Sequence, residues 1–137
     1  MFTTWQVYTE TPLHIAASLG LVECMKLLLN CGADVRVKFG ENRSTPLHLA
    51  AEHGTSECIK LLLNAGAEVN EKNSRGQTAL HIAVLSQSAE TLDSLITANA
   101  NIDAQDDNGR TALHAAAISA NRDSELVLAL IKVILLM

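Results

Sequence analysis

An all-α solenoid, built of helix-turn-helix units joined by β-hairpin loops, is the fold class this sequence predicts, and three observations predict it. The stretch TPLHIAA at 11–17 returns as TPLHLAA at 45–51, TALHIAV at 78–84 and TALHAAA at 111–117. The opening threonines stand at 11, 45, 78 and 111, so the spacings are 34, 33 and 33 residues, a period that marks stacked repeats. Each copy then carries two short apolar segments, followed by a linker rich in turn-forming residues.

The elements follow in order within a unit. Thr is a good helix N-cap, and Pro12 or Pro46 suits the first helical position, where a missing N–H costs nothing; Ala79 and Ala112 stand there in the later copies. The first helix carries small pairs, Ala16-Ala17, Ala50-Ala51, Ala83-Val84 and Ala116-Ala117, which let neighbouring helices approach closely. A break follows at Gly20 and Gly54, replaced by Gln87 and Ala120. The second helix opens on Glu23, Glu57 or Glu90, acids placed to favour the helix dipole, and in the first copy buries Val22, Met25, Leu28 and Leu29. It stops at Gly32, Gly66 and Asn99, residues that tolerate the left-handed conformation. The linkers ADVRVKFGENRS, AEVNEKNSRGQ and ANIDAQDDNGR should form hairpins that project from the helices.

Composition bounds the rest. With 137 residues and 48% hydrophobic content the chain can bury a core, and its length fits one domain, 1–137. The net charge of −5 argues against nucleic acid, which is held by cationic neutralisation, and 3% aromatic content offers few stacking platforms. Three cysteines without Cys-x-x-Cys spacing or a secretory leader indicate a reducing, intracellular and cytoplasmic setting. Cys24 and Cys58, at equivalent positions of successive units, read as buried small apolar residues, and Cys31 at a helix end as the more reactive thiol. VLALIKVILLM covers about half the ~20 residues a membrane span needs and carries Lys132, so direct insertion is not expected.

No catalytic residue, metal site or cofactor is expected. His14, His48, His81 and His114 recur at one point of each unit, and helices pack about 10 Å apart. At that separation neighbouring imidazoles cannot share a zinc, whose ligands lie within about 2.3 Å. Asp106-Asp107-Asn108-Gly109 lacks the spaced acids and closing Glu of a calcium loop and reads as a turn. The sequence has neither a phosphate-binding Gly-rich loop nor a Gly-x-Ser-x-Gly.

TPLHxAA with Gly20 or Gly54, the LLL runs at 27–29 and 61–63, Gly-Ala-Asp at 32–34, Gly-Ala-Glu at 66–68 and the Asn-Gly or Arg-Gly before the next Thr resemble the ankyrin repeat family. The likeness covers roughly residues 7–131, with units at about 11–44, 45–77, 78–110 and 111–137, the last irregular. The third copy lacks both glycines, and one extra residue lies near Lys38-Phe39-Gly40. The resemblance implies that each motif histidine bonds its Thr hydroxyl and a backbone group of the adjoining hairpin. It also implies non-catalytic binding of another protein along a concave face of hairpins and first helices.

Carried over position by position, that face comprises Tyr8, Glu10, Ser18, Leu19, Glu41, Asn42, Ser44, Glu52 and His53, then Ser74, Arg75, Gln77, Leu85, Ser86, Asp107, Asn108, Arg110 and Ile118. Leu19, Leu85 and Ile118 carry most weight, being apolar where the fold does not ask for it. Asn70, and Asp103 in the next hairpin, resemble the context that an asparaginyl hydroxylase recognises in ankyrin repeats. A second expectation is the cytoplasmic ankyrin segment of a larger membrane protein, such as an ion channel of the transient receptor potential type. The apolar end suggests it, and would otherwise cap the stack or support self-association through 126–137.

Overall fold

The computed structural model describes residues 9–86, 88–119 and Lys132. These form seven α-helices: α1 Pro12–Leu19, α2 Val22–Asn30, α3 Pro46–His53, α4 Ser56–Asn64, α5 Ala79–Ser86, α6 Ala89–Thr97 and α7 Ala112–Ser119. No strand occurs among the described residues. The first helices α1, α3, α5 and α7 pack in sequence against one another, and α2, α4 and α6 form a second row behind them. The all-α repeat solenoid expected from the period is therefore the fold.

Capping explains where the helices begin. Thr11 and Thr45 are extended N-caps of α1 and α3, their hydroxyls accepting from the N–H groups of His14 and His48. The histidine side chain returns the favour by accepting from the Thr N–H, so the capping box is closed by an imidazole instead of the usual carboxylate or amide. Gly20 and Gly54 end these helices at φ 70° and 87°, the left-handed region that a side chain resists. Gly32, Gly66 and Asn99 take the same region after the second helices, as the sequence predicts.

The core lies between the two rows. Leu13, Met25, Leu47, Ile59, Leu62, Leu80, Leu92 and Leu95 are fully buried, and Ala16, Ala17, Ala50, Ala51 and Ala83 fill the tight contacts between first helices. Removing such a leucine side chain costs about 2–5 kcal/mol. Val84, the bulky exception in the small-residue pairs, is accommodated at 1% exposure.

The linkers differ from expectation in one respect: they turn back like hairpins without forming strand pairs. Phe39 and Ser44 exchange both backbone bonds in an isolated antiparallel bridge. Asn73 and Asp106 donate to the carbonyls of Gln77 and Arg110 without a return bond from those residues, and each accepts a turn bond, from Gly76 and Gly109 N–H. The ladder stops there because the next interactions run between repeats: Ser74 N–H donates to Asn42 O at 2.8 Å and Asp107 N–H to Arg75 O at 3.0 Å. Successive loops are thus stitched tip to tip.

Cys24 requires a correction. It is exposed, whereas Cys58 is fully buried. Their helices read VECMKLLLN and SECIKLLLN, so the difference is tertiary: α4 has α2 packed beside it, and no described helix flanks α2 on the corresponding side.

Candidate functional site

The histidine column is a set of structural ties whose chemistry follows from its partners. At His48, Nδ1 lies 3.1 Å from the Thr45 backbone N–H and 2.8 Å from Thr45 Oγ1. Only an unprotonated Nδ1 can accept that N–H, so the ring proton belongs on Nε2, which donates to Gln77 O at 2.9 Å. His81 repeats the pattern with Thr78 and Arg110 O, at 2.8 Å. His14 donates from Nε2 to Val37 O at 2.8 Å, with Ser44 O at 3.3 Å, since the extra residue in the first loop shifts the nearer carbonyl. Phe39 fills that longer loop, its ring 5.4 Å from the His14 ring.

With both nitrogens committed, these rings have no lone pair for a metal and no free proton acceptor for catalysis. Burial pushes the pKa of His14 and His48 below the ordinary value, partly opposed by their bonds to backbone carbonyls. For His114 the loop partner implied by the tie lies outside the described residues. His114 caps α7 through Thr111 but is exposed, and no loop carbonyl among the described residues receives its Nε2.

The second and third loops are shaped by one side chain each. Asn73 Oδ1 accepts from the N–H groups of Arg75 and Gln77 while its amide donates to Gln77 Oε1. Asp106 Oδ1 accepts from Asn108 and Arg110 N–H, and those bonds, that to Arg110 foremost, hold its carboxyl below the usual range. The reading of 106–109 as a turn is therefore correct.

Between these loops and the first helices runs a groove of ≈ 320 Å³. Asn42, Ser44, Glu52, Arg75, Gln77, Leu85 and Ser86, all expected on the concave face, line it together with Asn73 and Ile82. Glu41, Ser74, Asp107, Asn108 and Arg110 stand outside it on the exposed loops, and Glu10 is exposed ahead of α1. Leu19 and Ile118 are 58% and 61% exposed at the ends of α1 and α7, and Leu85 is 49% exposed at that of α5. Ser18 Oγ donates to Ile15 O, while Ser86 Oγ ties Ala51 O to Ala83 O across two repeats. Tyr8 lies outside the described residues.

His53 is less available than its sequence position suggests. Its Nδ1 is 2.6 Å from Thr55 Oγ1, and a Cβ at Gly20 would fall 2.6 Å from its ring. The imidazole therefore rests on the turn of the preceding repeat, although its residue is exposed. Asn70 is also exposed and engaged, its Oδ1 accepting from Asn101 N–H at 2.7 Å in the next loop.

Two groove residues escaped the sequence reading. Ile82 stands in the position that varies between motif copies (Ile15, Leu49, Ile82, Ala115), a signal that could have identified it. Asn73 could have been found from its recurrence as Asp106, five residues before the next Thr.

A second exposed apolar surface lies at the start of the stack, a cleft lined by Pro12, Ile15, Leu21, Cys24, Leu27 and Leu28. Its counterparts one repeat later, Pro46, Cys58 and Leu62, are buried.

The family model described as ankyrin repeats (3 copies) matches residues 3–73 and 65–134. No curated protein matches the chain.

Proposed function

Since the chain belongs to the ankyrin repeat family, we propose that it is a non-catalytic module that binds another protein along the concave face of loops and first helices. Ankyrin repeats are generally protein–protein interaction modules. The observation that supports this function here is the groove between α3 and α5, where exposed Leu85 lies among polar side chains from two successive loops. The ties between loop tips order that surface in advance, which lowers the entropy lost on binding.

The experiment is a pull-down with the wild-type chain against a Leu19→Asp/Leu85→Asp double variant. Both positions are exposed, so melting should be unchanged while captured partners are lost. Equal capture by the variant would sink the assignment of the face.

A second proposal is a cytoplasmic ankyrin segment within a larger membrane protein such as a channel, in assembly or gating; the exposed apolar side chains of Ile15 and Leu27 are the surface such an assembly would use. No helix among the described residues is long and apolar enough to cross a membrane. A coding sequence with downstream spans of ~20 apolar residues would support that function, and one without them would remove it. Division into units at 11–44, 45–77, 78–110 and 111–137 belongs to the same proposal. So does self-association through 126–137, where all but Lys132 lie outside the described residues; sedimentation as monomer at high concentration would overturn it. Hydroxylation of Asn70 or Asp103 is proposed from exposed loop positions, and the intact mass of the chain isolated from cells tests it.

A further inference from the structure

In the groove between α3 and α5 part of the polar lining is already used. Asn73 spends its amide and carbonyl on its own loop, and Gln77 Oε1 is taken by Asn73. The Ser86 hydroxyl donates to backbone carbonyls. What remains includes the apolar pair Ile82 and Leu85, the Asn42 amide, the Gln77 side-chain N–H groups, the Ser44 hydroxyl, the Arg75 guanidinium and the Glu52 carboxylate. Among the described residues the ion pairs are Lys26–Glu23 and Lys38–Glu71, so neither Arg75 nor Glu52 is neutralised from within.

The two charges occupy opposite ends. Arg75 belongs to the loop before α5, whereas Glu52 is the next-to-last residue of α3, about 9 Å along the helix axis from Pro46 at its start. We propose that the groove takes a short extended segment of a partner protein, with an aliphatic side chain on Ile82 and Leu85, a carboxylate toward Arg75 and a cationic group toward Glu52. This rests on the concave-face function and adds the chemistry of the partner. The groove is small, which suits a linear segment better than a folded surface. The unpaired charges fix the direction in which the segment lies, since the reversed order would set like charges together.

The test pans a phage-displayed library of random linear peptides on the full chain and measures the enriched peptides, as synthetic ligands, on Arg75→Glu, Glu52→Lys and Leu85→Asp. Thermal melts check that each exposed-site variant is folded. Enriched sequences should carry an aliphatic residue between an acid and a base. Arg75→Glu should weaken them by about tenfold or more, and replacing the peptide's acid with Lys should restore binding to that variant alone. Peptides that need Leu85 but ignore Arg75 and Glu52 would overturn the charge assignment and leave the concave-face function standing. Peptides indifferent to all three variants would overturn both, as would failure to enrich any peptide on a chain whose Leu19/Leu85 variant captures partners as well as wild type.

Discussion

His48 and Gln77 are 29 residues apart in sequence, yet the imidazole N–H of one donates to the backbone carbonyl of the other at 2.9 Å. The same ring caps its own helix through Thr45, so one side chain joins a helix start to the loop that leads into the next repeat.

His48→Ala should therefore be costly. It removes the acceptor for Thr45 N–H and one of the two donors to Gln77 O, which keeps the Asn73 N–H, in a site where His48 is 1% exposed. A lost buried bond costs about 1–3 kcal/mol, which lowers the melting temperature of a domain this size by several degrees. His114→Ala, at an exposed ring bonded to Thr111, should cost less. Equal melts for the two variants, or no change with His48→Ala, would contradict the tie.

Acid should destabilise the stack before carboxylates titrate. His14 and His48 have folded pKa values below the unfolded 6.5, so the unfolded chain binds protons first as pH falls. Their contribution is complete above pH ~6.5 and is lost as the pH drops through the window down to the folded values. A proton on Nδ1 would also face the Thr N–H donor-to-donor. The urea midpoint should be lower near pH 5.5 than near pH 7.5, with part of that difference absent in His48→Asn. A midpoint that rises on acidification would refute this.

Gly76 and Gly109 share φ +75° and the same place in successive loops, but not the same surroundings. A Cβ at Gly76 would sit 2.7 Å from Asp107 N, whereas nothing lies within 4 Å at Gly109. Alanine at either position costs about 1–2 kcal/mol for the left-handed backbone, and Gly76→Ala adds a clash that the backbone must relieve. Its melting temperature should fall further than that of Gly109→Ala. The reverse order would show that the loops are not stacked tip to tip.

Thiol reactivity should separate the cysteines. Cys24 and Cys31 are exposed, while Cys58 is buried and its thiol is pushed up by that burial. Ellman's reagent should titrate Cys24 and Cys31 rapidly on the native chain and Cys58 only with unfolding. Rapid reaction of all three, or protection of Cys24, would refute the assigned burial.

Much of this was legible in the sequence, because repeats encode their local structure locally. Thr45, Pro46 and His48 announce a capped helix, Gly54 its end, Gly66 the end of the helix that follows, and the 33-residue period the stack. The groove was legible in part: the varying position between His81 and Ala83 marks Ile82, and turn chemistry marks Asn73. What could not be read was commitment. Nothing near His53 in sequence says that its ring rests on Gly20, 33 residues earlier, nor that Ser86 spends its hydroxyl on Ala51.

VECMKLLLN and SECIKLLLN mark the limit. By itself the sequence determined that both are short amphipathic helices with an acidic first turn, since propensity, capping and dipole act within a few residues. Only the tertiary structure decided that Cys58 is buried and Cys24 exposed, and that Arg75 and Glu52 line one groove without an ion pair among the described residues. Burial and pairing depend on what the neighbouring repeat places against a side chain, and two nearly identical helices meet different neighbours.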